Sequence, residues 1–310
     1  MSEGPSGLPR AGYLGPEGTF SEEALLSSVV AGAVAPIAQE TIRDAVMAVQ
    51  EHTVEWSLVP IENSIEGSVT VTLDTLAGEA SDVEIVGEVV LPVRHYLIAR
   101  SPVGFQQIEA VISHPHVPGQ CRRFLHERLP HARVTAAAST AEAVRVVAER
   151  ERGDAPGRED SGVSTQGEGG RWAAIGTRLA AELYDCTVIA EGIQDREDNE
   201  TRFVWLAHED RSVGTPRLRL RADAGHKTSL VFWGAGADRA GWLVLCLDEF
   251  ARRAINLTKI ESRPMRERLG HYMFFVDLDG SLTNEAVRDA LAGLRSLCEQ
   301  VRVLGSYPTA

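Results

Sequence analysis

Along the first two thirds of the chain, short apolar runs alternate with loops marked by Gly or Pro and with segments of helical periodicity. The apolar runs are AGYLG (11–15), WSLVPI (56–61), AVISH (110–114) and WAAIG (172–176). Strands that alternate with helices predict α/β sheets, and such sheets bind ligands beyond the carboxyl ends of their strands. The loops that follow these runs are therefore candidates for the walls of one cleft.

The last third of the chain alternates in a different order. Over residues 227–307 the pattern predicts strand, helix, strand, strand, helix and strand, which is the ferredoxin-like β-α-β-β-α-β arrangement. A polar stretch without a sustained period, residues 208–226, precedes it.

Residues 151–170 contain six glycines and only one large aliphatic residue, Val163. Such a segment buries too little apolar surface to offset the entropy of ordering, so we predict a mobile surface insertion there.

The net charge weighs against a protein that binds nucleic acid. The 310-residue chain has a formal net charge of −13 and a pI near 5.2, whereas affinity for a phosphate backbone comes from Lys and Arg. An anionic substrate would need a locally positive pocket. The amino terminus lacks the pattern of a signal peptide, and no run of about 18 apolar residues occurs. The sequence therefore predicts a cytoplasmic protein that does not bind membranes.

The residue types present also exclude several kinds of chemistry. The four cysteines are widely separated and form no CxxC pair, which indicates neither a zinc site nor a disulfide framework. The pair His114 and His116 comes nearest to a metal motif, but it has no companion ligands. Lysine occurs only at Lys227 and Lys259, so the first 226 residues hold neither a Schiff-base lysine nor a P-loop lysine. We expect no metal and no cofactor.

The loop GPEGTFSEE has two interpretations. Thr19 and Glu22 have the spacing of a capping box, with Thr19 as the N-cap and Glu22 at N3. In the other interpretation, Gly15 and Gly18 let the backbone approach a ligand, and the amino terminus of the helix offers N–H donors to a carboxylate.

Hydrogen-bonding residues in the other loops are mostly uncharged. Turn formation and helix capping explain Asn63 and Gln120 as well as ligand binding does. No Ser-His-Asp set and no paired acid and base stand out, which favours a reaction that needs positioning and one donated proton. The uncharged residues are Asn63, Ser113, Gln120 and Thr201, with Glu62 and Arg202 as charged exceptions.

Four segments, in this order, resemble the signature segments of the prephenate dehydratase family: YLGPEGTFSEEA, VPIENSIEGSV, SHPHVPGQC and NETRF. The later segment INLTKIESRP resembles the regulatory ACT domain that follows the catalytic region in that family. The resemblance covers roughly residues 11–307. It implies a periplasmic-binding-protein-like catalytic region of two α/β subdomains over 11–207, a linker over 208–226 and an ACT domain over 227–307.

The resemblance also implies an activity. The family converts prephenate to phenylpyruvate in phenylalanine biosynthesis, with loss of carbon dioxide and of the ring hydroxyl. Aromatisation of the ring drives the reaction, so the enzyme mainly helps the hydroxyl to leave, which agrees with a neutral polar site. Two alternatives stay open: a relative that decarboxylates prephenate without aromatisation, and a two-lobed sensor that binds a small molecule without turnover.

The family's motifs imply roles for individual residues. Thr201 is expected to donate a hydrogen bond to the departing hydroxyl, while Asn63, Ser113 and Gln120 bind or orient the substrate. Arg202 can pair with a substrate carboxylate, although an extended strand would turn it away from the face that holds Thr201. The expected substrate contacts are Thr19, Glu62, Ser64, Arg202 and Phe203.

The ACT resemblance implies an effector site. In the family, phenylalanine binds at the interface between two ACT domains, which implies a homodimer or homotetramer. This chain has Gly241-Trp242-Leu243 where the family commonly has Gly-Ala-Leu, so an indole that replaces a methyl group can fill or reshape the pocket. The expected effector contacts are Gly241, Trp242, Leu243, Asn256, Glu261, Ser262, Arg263 and Pro264.

Overall fold

The computed structural model describes residues 7–150, 171–210, 214–219, 224–234, 239–266 and 269–310. The predicted insertion at 151–170 lies outside the described residues, and so does part of the predicted linker. Within the described ranges, no helix is both long enough and apolar enough to cross a bilayer.

The element order is that of a mixed α/β protein, as predicted. The first 150 residues form β1 (Arg10–Leu14), α1 (Phe20–Ser28), β2 (Ala35–Gln39), α2 (Ile42–Gln50), β3 (Trp56–Asn63), β4 (Gly67–Ser68), α3 (Thr70–Gly78), β5 (Val83–Pro92), β6 (Tyr96–Ala99), a 3₁₀ turn (Phe105–Gln107), β7 (Ile108–Ser113), α4 (Val117–Gln120), α5 (Arg122–Arg128), β8 (Arg133–Ala136) and α6 (Thr140–Arg150). They are followed by β9 (Arg171–Gly176), α7 (Arg178–Leu183), β10 (Thr187–Glu191) and β11 (Glu200–His208). The carboxyl-terminal module contains β12 (His226–Trp233), α8 (Trp242–Ala251), β13 (Leu257–Pro264), β14 (Tyr272–Asp279), α9 (Glu285–Leu297) and β15 (Gln300–Pro308).

Helix α9 shows how the apolar pattern becomes structure. Its buried residues, from Val287 to Leu294, recur at helical spacing and form one face that packs on the strands of the carboxyl-terminal module. The side chain of Asn284 caps the helix by accepting a hydrogen bond from the N–H of Ala286 (2.9 Å). The predicted helix is therefore confirmed by both its face and its cap.

The segment after β3 turns at Asn63–Gly67 before the helix begins. Strand β4 folds back on β3 as a hairpin, and α3 follows it. Gly67 has a φ of +85° in the turn, a conformation that L side chains rarely adopt. The Oδ1 atom of Asn63 accepts hydrogen bonds from the N–H groups of Ile65 and Glu66 (both 2.9 Å). Asn63 and Gly67 thus form the turn that precedes the helix.

Two sheets form the larger part of the molecule. The first has the order β2-β1-β3-β11-β5, with β4 paired to β3, and the second has the order β10-β6-β9-β7-β8. Strands β1, β2 and β3 are parallel, while β11 runs antiparallel to both β3 and β5. The chain therefore leaves the first sheet after β5, builds the second sheet and returns as β11. Two crossings, β5 to β6 and β10 to β11, join the two lobes.

The third sheet has the order β13-β14-β12-β15, and all its pairs are antiparallel. The predicted β-α-β-β-α-β order is thus present in the described residues. One face of this sheet is covered by α8 and α9. The other face shares a core with the first sheet, in which Val231, Phe275 and Leu304 pack with Ile85 and Val204.

Charged side chains also meet between the first and third sheets. We call this group the junction cluster: Glu62, Glu88, Arg202, Lys227, Lys259 and Asp277. Arg202 donates from Nε to Glu88 (2.7 Å) and from Nη1 to Asp277 (2.6 Å). Its Nη2 donates to the hydroxyl of Tyr307 (2.8 Å). Burial opposes the charge of Arg202, but Asp277, Tyr307 and Glu88 outweigh burial and raise the pKa of the guanidinium group. Arg202 is therefore charged and compensated by buried partners.

We predict that Arg202→Met lowers the free energy of unfolding by about 3–5 kcal/mol, because it leaves the buried Asp277 carboxylate without its ion pair, while Glu88 keeps Lys227. Arg10→Met is the matched control, since Arg10 forms an exposed ion pair with Glu55 and its loss should cost about 0–1 kcal/mol. Urea unfolding of both variants measures the difference, and equal losses would contradict the structural role assigned to Arg202.

Candidate active site

A cavity of about 700 Å³ lies between the two lobes. Elements of both sheets form its walls, and the loops after β1, β2, β3, β7 and β8 all reach it, as expected for a site at the carboxyl ends of parallel strands. The walls are formed by Leu14, Gly15, Pro16, Thr19, Phe20, Ser21, Glu40, Pro60, Asn63, Glu66, Val69, Val93, His95, His114, His116, Val117, Gln120, Ala138, Ser139, Thr140, Glu142, Arg145, Asn199 and Thr201.

Asn63 and Thr201 face each other across β3 and β11, where they are register partners. Because Asn63 Oδ1 accepts from two backbone N–H groups, the orientation of its amide is determined, and Nδ2 points to Thr201. Nδ2 donates to Thr201 Oγ1 (2.9 Å). In the part of the chain that the structure describes, Thr201 Oγ1 accepts this bond and donates none. Its hydroxyl hydrogen is therefore available to a molecule in the cavity.

Asn199 and Gln120 extend this network to the second lobe. Asn63 Nδ2 also donates to Asn199 Oδ1 (2.9 Å), and Asn199 Nδ2 donates to Gln120 Oε1 (3.1 Å). Gln120 Nε2 in turn donates to the carboxylate of Glu66 (3.1 Å). Backbone N–H groups at one end and a carboxylate at the other determine every donor and acceptor in the series. The result is a neutral, directional network that joins β3, β11 and α4.

His95 completes the network from the first crossing between the lobes. Its Nε2 lies 2.9 Å from Gln120 Oε1, and because Oε1 is an acceptor, the proton must reside on Nε2. Nδ1 is then an unprotonated acceptor, buried and without a hydrogen-bond partner among the described residues. Burial lowers the pKa of His95 and outweighs the opposing effect of Gln120. His95 is therefore neutral at neutral pH.

Thr19 lines the cavity but does not cap α1 as predicted. Its hydroxyl donates to the carbonyl of Leu14 (3.0 Å), and no side-chain cap bond forms. The Glu22 carboxylate instead accepts from the N–H of Gly18 (2.5 Å). Neither bond of the predicted capping box is present, because the Thr19 hydroxyl turns back to the strand that precedes it and Glu22 bonds to Gly18 instead of Thr19.

Several predicted site residues do not line the cavity. Ser113 is fully buried at the end of β7, and its hydroxyl donates to the carbonyl of Ile175 (2.9 Å). Ser64 donates to the carbonyl of Asp198 (3.0 Å) and accepts from the N–H of Glu200 (3.0 Å). Both residues therefore support the loops of the site from behind its wall.

The strand alternation of β11 separates Arg202 from the site. Thr201 faces the cavity, whereas Arg202 is turned to the junction cluster together with Glu62. Phe203 is buried in the core of the first lobe, where it is 2% exposed. The suggested pairing of Arg202 with a substrate carboxylate is not favoured, because Glu88 and Asp277 already occupy its guanidinium group.

Three members of the hydrogen-bond network of the cavity were not identified from the sequence: Glu66, His95 and Asn199. Asn199 stands two positions before Thr201, and strand alternation could have indicated that both face one way. Glu66 follows Asn63 in the same turn. His95 lies in a short link between apolar strands, and no local pattern distinguishes it from a core histidine.

The predicted effector residues lie in the carboxyl-terminal module. Trp242 is 4% exposed, packs against Phe232 and Phe274, and donates from Nε1 to the carbonyl of Leu297 (2.8 Å). Its indole therefore fills the core of the module. Gly241 precedes it with a φ of +85°. The neighbouring Leu243 also packs against this core, and Asn256 donates to Asp279 (2.8 Å).

Alternation along β13 divides the predicted effector segment between two faces. Glu261 and Arg263 turn to the first lobe, where Arg263 pairs with Asp74 (2.7 Å). Ser262 and Pro264 are exposed on the opposite side. The four residues therefore do not share one surface within a single chain.

The fold and the cavity define a two-lobed α/β protein with a candidate small-molecule site between its lobes and an additional module on the first lobe. The family model described as prephenate dehydratase matches residues 11–211. A prephenate dehydratase of Amycolatopsis methanolica is 38% identical over 304 residues, covering 98% of this chain and 90% of that protein. A bifunctional chorismate mutase/prephenate dehydratase of Aquifex aeolicus is 36% identical, covering 97% of this chain and 74% of that protein. The crystal structure of prephenate dehydratase from Arthrobacter aurescens in complex with L-Phe matches with a TM-score of 0.79 and 35% identity, covering 96% of this chain and 89% of that one. The chain belongs to the prephenate dehydratase family.

We predict that the neutrality of His95 makes folding sensitive to mild acid. The pKa of His95 is lowered in the folded state, whereas the unfolded chain protonates near its ordinary pKa of about 6.5. Below that pH the unfolded state binds more protons, so the free energy of unfolding falls, by at most about 1.4 kcal/mol per pH unit, until the pH passes the folded-state pKa. Urea unfolding between about pH 7.5 and pH 5.5 should show a smaller loss in His95→Gln than in the wild type. Parallel curves would contradict the assignment.

Proposed function

We propose that this chain converts prephenate to phenylpyruvate, with departure of carbon dioxide and of the ring hydroxyl, as a step of phenylalanine biosynthesis. Membership of the prephenate dehydratase family supports the reaction. The observation that carries the site assignment is the orientation of the Thr201 hydroxyl. It accepts a hydrogen bond from Asn63, so its hydrogen is left for the substrate.

The reaction needs a donor more than a base. The C–C bond to the ring carboxylate breaks and its electron pair enters the ring, while the C–O bond breaks and the oxygen leaves with its own pair. That oxygen then takes up one proton and becomes water. Negative charge develops on it first, and a hydrogen bond from Thr201 stabilises this charge. Because an alcohol is a weak acid, Thr201 acts by donating the hydrogen bond, and water supplies the proton.

Prephenate carries two carboxylates, and helix termini are proposed to receive them. Among the described lining residues, Arg145 is the only Lys or Arg, and it already pairs with Glu142 and Glu149. The amino termini of α1 and α6 both open on the cavity, at Thr19 and Thr140. Backbone N–H groups and the helix dipole favour anions there without a formal cation.

We further propose that residues 11–207 are a periplasmic-binding-protein-like catalytic region, that 208–226 are a linker, and that 227–307 are an ACT domain that binds phenylalanine. The strand order of the third sheet supports the ACT assignment. The relative from Arthrobacter aurescens was solved in complex with L-Phe. The indole of Trp242 points into the core of this module, which supports an effector pocket that the indole does not fill. A cytoplasmic location belongs to the same proposal, and the four free cysteines agree with it.

A second copy of the chain is proposed to cover β13. This strand is an edge of the third sheet, and an unpaired edge is a template for another chain. Apolar residues are exposed around it, with Ile260 at 49% and Tyr272 at 43%, and α8 exposes Val244 and Leu245. A homodimer, or a homotetramer built from it, would cover them and place two effector segments together.

We predict that Ile260→Glu weakens the dimer, because it places a charge in an apolar contact. Val134→Glu is the matched control, since Val134 is an equally exposed residue of β8 in the second sheet. Sedimentation with and without phenylalanine should give a smaller mass for Ile260→Glu alone. A wild-type chain that sediments as a monomer in both conditions would contradict the proposed dimer.

We predict that Thr201→Val lowers kcat by about 10²–10³-fold, the usual effect of removing one transition-state donor. Thr201→Ser retains the hydroxyl and should keep most of the activity, whereas Val keeps only the β-branched shape. Phenylpyruvate formed from prephenate is followed by its absorbance in alkali, against the spontaneous rate. Equal activity of Thr201→Val and the wild type would exclude the proposed role.

The same assay separates the alternative functions. Formation of phenylpyruvate above the spontaneous rate supports the dehydratase. Loss of prephenate with a non-aromatic dihydro product would indicate a decarboxylase, which the ultraviolet spectrum reveals. Binding without turnover would indicate a sensor.

A further inference from the structure

The carboxyl-terminal module holds the hairpin that carries Asn63. Lys259, in β13, donates from Nζ to Ser68 Oγ (2.8 Å) and lies 3.6 Å from Glu62 Oε2. Glu62 and Ser68 are register partners in the β3–β4 hairpin. One ammonium group therefore contacts both strands of this hairpin, directly beside Asn63.

Arg202 makes a second attachment, directly beside Thr201. Its guanidinium group joins Glu88 of β5 to Asp277 of β14 and lies 3.5 Å from Glu62. The Glu62 carboxylate is thus shared by Arg202 and Lys259. Because Thr201 and Arg202 are consecutive in an extended strand, a shift of one displaces the other.

Strand β13 also carries the predicted effector segment. Lys259 lies 3.6 Å from Glu261 on the same face, and Arg263 follows with its ion pair to Asp74 of α3. The side of β13 that faces the first lobe is therefore bonded to the hairpin and to the helix after it. These contacts are largely shielded from solvent, since the side chain of Lys259 is 10% exposed and that of Arg202, which links the hairpin to the neighbouring β14, is 11% exposed.

We propose that Lys259 and Arg202 are positioning residues through which the carboxyl-terminal module sets the separation of Asn63 and Thr201. The 2.9 Å bond between these residues keeps the Thr201 hydrogen free for the substrate. A ligand that binds more tightly when β13 occupies one of two positions shifts the equilibrium to that position, by an amount set by the difference between its two affinities. The separation of Asn63 and Thr201 changes with it. The regulatory part of this inference rests on the proposed function, whereas the mechanical part does not.

The mechanical part is tested by hydrogen exchange, read by mass spectrometry, in Lys259→Met. Peptides that cover residues 61–69 and 199–203 should exchange faster than in the wild type, because the hairpin has lost its attachment. The matched control is Arg302→Met. Arg302 crosses the same boundary but donates to the carbonyls of Ala80 (2.6 Å) and Val83 (3.2 Å), away from the hairpin. Its loss should leave both peptides unchanged, and Lys259→Arg should restore wild-type exchange.

The regulatory part is tested with prephenate and phenylalanine. Lys259→Met should lower kcat with little change in KM, because the displaced donor acts in the transition state. It should also lose most of the rate change that phenylalanine causes in the wild type, while equilibrium dialysis still detects bound phenylalanine. Arg302→Met should respond to phenylalanine as the wild type does.

The outcomes separate the inference from the proposed function. If Lys259→Met and the wild type exchange equally in both peptides, the inference is overturned whatever the kinetics show. A phenylalanine response in Lys259→Met equal to that of the wild type also overturns it. If the wild type forms no phenylpyruvate, the proposed function fails, and the exchange comparison alone decides the inference.

Discussion

The alternation of side chains along β11 is the constraint on which the rest of the structure depends. In an extended strand, consecutive side chains point to opposite faces, so Thr201 enters the cavity and Arg202 enters the junction cluster. Strand β11 lies between β3 and β5 in the first sheet, so it is paired on both sides. One short segment therefore belongs both to the candidate active site and to the contact with the third sheet.

The hydrogen-bond network of the site is a series of neutral side chains that ends on one charged group, the Glu66 carboxylate. The turn amides orient Asn63, and the Glu66 carboxylate orients Gln120. Neutral hydrogen-bond donors suit a reaction in which negative charge develops on a departing oxygen, because they stabilise that charge. A strong base would instead remove the proton of the hydroxyl before the hydroxyl leaves. The burial that lowers the pKa of His95 preserves this neutrality.

The sequence predicted the element order, the mixed α/β class and the segments that carry Asn63, Gln120 and Thr201, because these depend on local pattern. It did not predict the partners of Arg202, which lie 114 and 75 residues away along the chain at Glu88 and Asp277. Pairings at such separation depend on how the sheets pack. The turn after β3 is indicated by Asn63, Ser64 and Gly67, but the pairing of β4 with β3 is not, because a two-residue strand has no apolar period.

Two members of the neutral network lie in the two crossings that join the lobes. His95 precedes β6, and Asn199 precedes β11, while Gln120 belongs to the second lobe. The bonds from Asn199 and His95 to Gln120 (3.1 and 2.9 Å) therefore tie both crossings to the second lobe. The same side chains that line the cavity thus also fasten the two lobes to each other where the chain passes between them.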